Sequence, residues 1–195
     1  MKVKKSGKKN VKLLIIFLII ILLLILFGPI KIQNRILEMM YPREYENFVS
    51  LYSKEYNVDE NLVYALIKAE SNFNPDAVSG KSAKGLMQIV DETAMDVAKA
   101  LSLNISQEEL IERLNDIDLN INLGTKYISM LLEKYENIAL ALTAYNAGIG
   151  TVDNWIEKGT IKSDGSDVEN IPYKETNQYV RKILRDYDIY QKLYS

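Results

Sequence analysis

The chain has 195 residues, with 24 basic and 26 acidic side chains, no Cys and no His. That length suits one cored domain plus an appendage. Lack of Cys excludes disulfides, thiol catalysis and a lipidated-cysteine anchor. Lack of His excludes histidine triads, imidazole bases and most zinc sites, so carboxylates, hydroxyls, amides, Lys and Arg must carry any chemistry.

The appendage comes first. Lys2, Lys4, Lys5, Lys8, Lys9 and Lys12 precede an uncharged run of 18 residues, Leu13 to Ile30. A bilayer span needs about 17–25 residues. The lysines orient the N-terminus to the cytoplasm. A cleaved signal peptide is the competing reading, but it usually ends in small residues of A-x-A type, and this run ends Leu26-Phe27-Gly28-Pro29-Ile30. The expected organisation is a cytoplasmic basic tail (1–12), an uncleaved transmembrane signal anchor (13–30), a juxtamembrane connector (31–41) and a folded domain (42–195). Without the six tail lysines, 18 basic residues stand against 26 acidic ones, a balance of −8. An acidic ectodomain argues against a nucleic-acid partner.

Beyond Tyr41-Pro42 the pattern is almost wholly helical, with no convincing strand. Tyr45, Phe48, Val49, Tyr52 and Tyr56 predict a helix over Glu44 to about Asn57. Asp59 is a candidate N-cap for a second helix carrying Leu62, Val63, Ala65, Leu66, Ile67 and Ala69. Pro75 disfavours helical geometry at Asn74, so that helix stops about there. Residues 74–85 read as loop. Asp91 to about Ala100 is the next helix, and Ser106 with Glu109 forms a candidate capping box for a short one through Leu114. Longer helices follow from Asp118, read as an N-cap, to Tyr135, and from Asn137 to Tyr145. Residues 150–158 form another, ending at Gly159. A polar loop covers 160–172. The last helix runs from about Glu175 to Leu193, with Val180, Ile183, Leu184 and Tyr187 inward. Asp116, Asp118, Asn120 and Asn122 alternate like a calcium loop. However, Ile121 stands where that loop needs Gly and Tyr127 where it needs Glu.

Four stretches are candidates for chemistry. In Glu70-Ser71-Asn72-Phe73-Asn74-Pro75 the carboxylate shares a helix face with Val63, Leu66 and Ile67. Partial desolvation and the negative helix end both oppose ionisation, which raises its pKa. A carboxyl that keeps its proton near neutrality can protonate a leaving oxygen; the opposing reading is a solvated Glu at a helix rim. Gly85-Leu86-Met87-Gln88-Ile89 either lines a groove with a close backbone and an amide or merely tucks Leu86 and Ile89 into the core. Ala144-Tyr145-Asn146-Ala147-Gly148 offers an aromatic face and an amide, or is simple helix termination. In Ile171-Pro172-Tyr173-Lys174-Glu175-Thr176, Glu175 and Tyr179 share a face. First-turn Glu placement also explains Glu175.

Taken in order, these pieces resemble the catalytic domain of the soluble lytic transglycosylases, in the goose-type lysozyme superfamily. The resemblance is carried by E-S-N-F-N-P (70–75), Ser79, G-L-M-Q-I (85–89), N-I-N-L-G (120–124), A-Y-N-A-G (144–148) and I-P-Y-K-E-T-N-Q-Y-V (171–180). Val90-Asp91 replaces the Met-Pro frequent after G-L-M-Q-I in that family. The resemblance implies an all-α, lysozyme-like multi-helix domain with a glycan-binding groove over 42–195. It implies Glu70 as lone acid/base supported by Ser71, with Ser79, Gln88, Tyr145, Asn146, Glu175 and Tyr179 around the sugar sites. The expected reaction is cleavage of the MurNAc–GlcNAc β-1,4 bond of peptidoglycan, with substrate N-acetyl assistance and a 1,6-anhydromuramyl product, needing neither metal nor cofactor. The alternatives are a muramidase on the same fold, with Asp76 or Asp91 activating water, or a non-catalytic wall-binding scaffold. The expected partners are peptidoglycan strands, the membrane through the anchor, and wall synthesis, division or secretion machinery. The domain would face outward from a single-pass anchor.

Overall fold

A computed structural model describes residues 13, 15–17 and 35–194. The chain divides into two compact units, Met1–Pro42 and Arg43–Ser195. In the first, residues 13, 15–17 and 35–40 are helical. The expected anchor, 13–30, lies almost wholly outside the described residues, and among those residues no helix is long and apolar enough to cross a membrane.

The second unit is mainly helical. Its α-helices are α1 (Glu46–Glu55), α2 (Glu60–Glu70), α3 (Asp91–Ala100), α4 (Gln107–Glu112), α5 (Ile117–Tyr135), α6 (Ile138–Ala147), α7 (Ile149–Glu157) and α8 (Lys174–Tyr194). A short 3-10 turn over Val168–Asn170 lies inside the polar loop. Among the described residues, β pairing is confined to isolated bridges, Val78 with Lys84 and Lys84 with Ile89.

Helix α2 is the centre. Leu62 through Ile67 are all buried. A helix apolar on every side belongs inside a core. Each of Leu62, Val63, Leu66 and Ile67 contributes about 1.5–3 kcal/mol by leaving water. Helix α2 packs chiefly against α8, which also meets α6, while α5 packs on α1, α3 and α6. Asp59 does cap α2, accepting from the Asn61 N–H at 2.8 Å. The helix ends at Glu70, because Asn72 and Phe73 both enter the left-handed region, at φ 50° and 66°. Pro75 therefore marks the end of the turn, and the helix stops before it.

Several local readings need correction. Helix α5 starts one residue early, capped by Asp116, which accepts from the Leu119 N–H at 3.0 Å. Asp118 instead accepts from the Tyr52 hydroxyl at 2.6 Å. Ser106 caps α4 through the Glu109 N–H at 3.2 Å, while the Glu109 carboxylate pairs with Arg113 at 3.1 Å. In α8, Val180 and Ile183 are buried as read, but Asp186 and Tyr190 fill the other inward positions. Tyr187 is half-buried and donates to Asp59 at 2.7 Å. Side-chain partners from other helices decide the Asp118 and Tyr187 cases, while Glu109 is taken by Arg113 at the end of its own helix.

Candidate active site

The end of α2 opens into a cavity of about 580 Å³. Glu70, Ser71, Ser79 and Gln88 line it, with Lys68, Asn72, Val78 and Lys182. Glu70 is the one carboxylate among those lining residues. The Tyr179 hydroxyl donates to Glu70 Oε1, bridging α8 to α2. Burial pushes the Glu70 carboxyl up to about 7. The hydrogen bond from Tyr179 and the positive charge of Lys182 pull the other way without overcoming it. Burial, reinforced by the nearby Glu70 charge, pushes the Tyr145 and Tyr179 hydroxyls well up, so both stay protonated as donors.

The raised carboxyl links to stability. Folded protein keeps a proton that unfolded chain, at the ordinary value of 4.5, releases. This contribution is complete below 4.5 and is lost as pH rises through about 7. At pH 8–9 the ionised, half-buried carboxylate costs roughly 3 kcal/mol. Glu70→Gln is therefore expected to melt above wild type at pH 8–9, with the gap closing at pH 5 and below. Thermal melts across that range test it, and a gap independent of pH would contradict it.

The loop between α2 and α3 is held from inside the fold. Asn120 in α5 is 0% exposed. Its Oδ1 accepts from the Met87 N–H at 2.8 Å, and its Nδ2 donates to the carbonyls of Lys84 at 2.9 Å and Leu114 at 2.7 Å. One turn on, Gly124 leaves room for Met87; a Cβ there would stand 2.4 Å from the Met87 sulfur. Gly85 has φ +76°, and a Cβ on it would lie 2.3 Å from Asn120 Nδ2. N-I-N-L-G and G-L-M-Q-I are thus two sides of one joint. Gln88 sits beyond it at φ 48°. Its Nε2 donates to the Ala77 carbonyl at 3.0 Å and the Gly85 carbonyl at 2.9 Å, which leaves Oε1 for a ligand.

The other expected site residues divide. Ser79 lines the cavity, and its Oγ accepts from the Lys81 and Ala83 N–H groups at 3.2 and 3.1 Å, holding the loop. Ser71 Oγ donates back to the Ile67 carbonyl at 3.2 Å. Tyr145 braces the joint, donating to the Met87 carbonyl at 2.8 Å, with its ring packed on Tyr127. Asn146 is exposed and accepts from the Thr176 hydroxyl at 2.8 Å, tying α6 to α8. Glu175 is exposed in the first turn of α8 and is not among the residues lining this cavity. Asp76 and Asp91 are also absent from the lining, and Asp91 faces Lys84 at 3.5 Å. Sequence reasoning missed Lys68 and Lys182. The available signal was Lys182, three residues after Tyr179 and so on its helix face, whereas Lys68, two before Glu70, carried none.

The family model for the transglycosylase SLT domain matches residues 48–167. The chain belongs to this family. Among curated relatives of this SLT domain, the soluble lytic murein transglycosylase of Salmonella typhimurium is 33% identical over 158 residues, covering 80% of this chain and 24% of that protein. The membrane-bound lytic murein transglycosylase C of Yersinia enterocolitica is 38% identical over 120 residues, covering 56% of this chain and 32% of that protein. The lytic transglycosylase Slt of Pseudomonas aeruginosa, solved as an inactive Glu-to-Gln mutant, superposes with a TM-score of 0.71 at 32% identity, covering 80% of this chain and 25% of that one. The 70 kDa soluble lytic transglycosylase in complex with bulgecin A gives 0.73 at 31% identity, covering 80% of this chain and 25% of that one. The SLT chain thus spans about a quarter of the length of the soluble relatives it matches. The all-α, lysozyme-like fold is shared with those structures.

Proposed function

We propose that this SLT domain is a peptidoglycan lytic transglycosylase that cleaves the MurNAc–GlcNAc β-1,4 bond. The observation that carries the reading is Glu70. It is a half-buried carboxyl whose pKa is pushed up to about 7, hydrogen-bonded by Tyr179, in a cavity whose described lining holds no second carboxylate. Protonated Glu70 gives its proton to the departing GlcNAc oxygen as the C1–O bond breaks. The muramic N-acetyl oxygen bonds to C1 in place of a carboxylate nucleophile. Ionised Glu70 then takes the proton from the 6-hydroxyl. O6 bonds to C1, the acetamido oxygen leaves, and a 1,6-anhydromuramyl end results with Glu70 reprotonated. Gln88, Ser79 and Tyr179 are the proposed groups around the N-acetyl arm, acting by positioning, with Ser71 supporting Glu70. Asn146 and Glu175 are proposed to border the groove further out, and Tyr145 nearer the Glu70 carboxyl, whose charge it senses. Water attack by Asp76 or Asp91 has less support, because neither lines the cavity.

The test is digestion of purified peptidoglycan by the full-length protein, with products weighed by mass spectrometry. Anhydro ends, one water lighter than reducing ends, are expected; reducing ends alone would make it a muramidase. Tyr179→Phe is expected to lower the rate about tenfold and to move the alkaline limb of the pH profile upward. It removes a hydrogen bond that favours the ionised form of Glu70. A downward move would show that Tyr179 does not act through Glu70.

For the address, the apolar run at 13–30 and the six preceding lysines support a single-pass anchor with the domain over 42–195 outside the membrane. The membrane-bound relative from Yersinia enterocolitica supports such an arrangement. A connector as short as 31–41 confines the enzyme to membrane-proximal glycan, beside wall synthesis, division or secretion machinery.

A further inference from the structure

The cavity around Glu70 has a cationic wall. Lys68 in α2 and Lys182 in α8 both line it, on helices that pack against one another. Between those helices Asp186 is 1% exposed. It accepts from Arg185 Nε at 3.1 Å and Nη2 at 2.9 Å. Burial lowers the Lys68 pKa, and the Asp186 charge opposes that without overcoming it. Lys182 differs. It is exposed, its Nζ stands 3.5 Å from the Ala69 carbonyl oxygen, and none of the ion pairs among the described residues uses it.

A cation here opposes the chemistry. The Lys182 charge favours ionised Glu70, while the first step needs the protonated form. A neutral sugar offers nothing that requires it. In a chain whose remainder carries an acidic excess, this placement makes sense if the substrate brings the counter-charge.

We propose that Lys182, with Lys68 beside it, forms a carboxylate-binding subsite for the peptidoglycan strand in the wall of the Glu70 cavity. This rests on the function proposed above. The carboxylate comes from a stem peptide or from the lactyl group of a muramic residue that lacks one. Once bound, it neutralises Lys182 and leaves Glu70 a better proton holder as the substrate arrives.

The test measures strand binding by calorimetry to full-length protein carrying Glu70→Gln, with and without Lys182→Gln. Three ligands are used: peptide-bearing strands, strands stripped by an amidase to expose the lactyl carboxylate, and stripped strands whose carboxyl is converted to the methylamide. Lys182→Gln is expected to weaken binding about tenfold for carboxylate strands, to flatten its salt dependence, and to leave the methylamide strands within about twofold. Weakening on intact strands assigns the stem peptide, and weakening on stripped strands assigns the lactyl group. Equal binding by both variants to all three ligands, equal weakening on all three, or no binding at all would overturn the subsite. Lys182 is exposed, and melting curves check folding. Cleavage of intact strands by wild type is followed in parallel. Its failure ends the functional reading, whereas uniform binding ends only the subsite.

Discussion

Glu70→Gln protein is expected to release anhydromuropeptides at least about a thousandfold more slowly than wild type. Two steps depend on this side chain, and general acid–base transfer is commonly worth about 10²–10⁴ in a single step. The amide keeps the shape and the contact with Tyr179 but can neither give nor take the proton. The wild-type rate is expected to fall as pH rises through about 7, because the acid form of Glu70 disappears there. Residual activity of the variant should lack that limb. A variant that digests walls at the wild-type rate, or one that retains the same limb, would remove Glu70 from the mechanism.

The second large effect lies away from the reacting atoms. Asn120→Ala deprives the Met87 N–H and the Lys84 and Leu114 carbonyls of one buried partner side chain. Leaving a buried polar group unsatisfied costs about 1–3 kcal/mol. The whole substitution is therefore expected to cost about 3–5 kcal/mol, read as a lower urea midpoint with an unchanged slope. Gly124→Ala probes the other half of the joint. Its Cβ would press on Met87, which is 0% exposed, so overpacking of about 1–3 kcal/mol outweighs the gain in helix propensity. Both variants should lose activity beyond their loss of stability, because the same joint sets Gln88. An unfolding free energy within about half a kcal/mol of wild type for Asn120→Ala would show that the clamp is dispensable.

Helix positions were largely legible in the sequence because they depend on near neighbours. Asp59 caps α2 as read, and Asn137 caps α6, accepting from the Leu140 N–H at 3.0 Å. The raised pKa of Glu70 was legible too, since its apolar companions lie on its own helix. The start of α5 was not. Asp116 and Asp118 are equally good caps locally, and the Tyr52 hydroxyl removes Asp118 from the choice. The role of Tyr145 was half legible. Its place at a helix end suggested an aromatic face for a ligand or simple helix termination, and its hydroxyl in fact holds the Met87 carbonyl.

By itself, then, the sequence determined a helical domain, an acid set where α2 stops, a basic tail before an apolar run, and membership of the SLT family. Each follows from interactions within a few residues or from an ordered set of short motifs. Only tertiary structure decided that Tyr179, 109 residues away, holds Glu70. It also decided that Asn120 clamps the loop carrying Gln88, and that Lys182 faces the cavity. Those pairings depend on how α8 and α5 pack around α2, and packing angle and register have no signature in the residue order of a single helix.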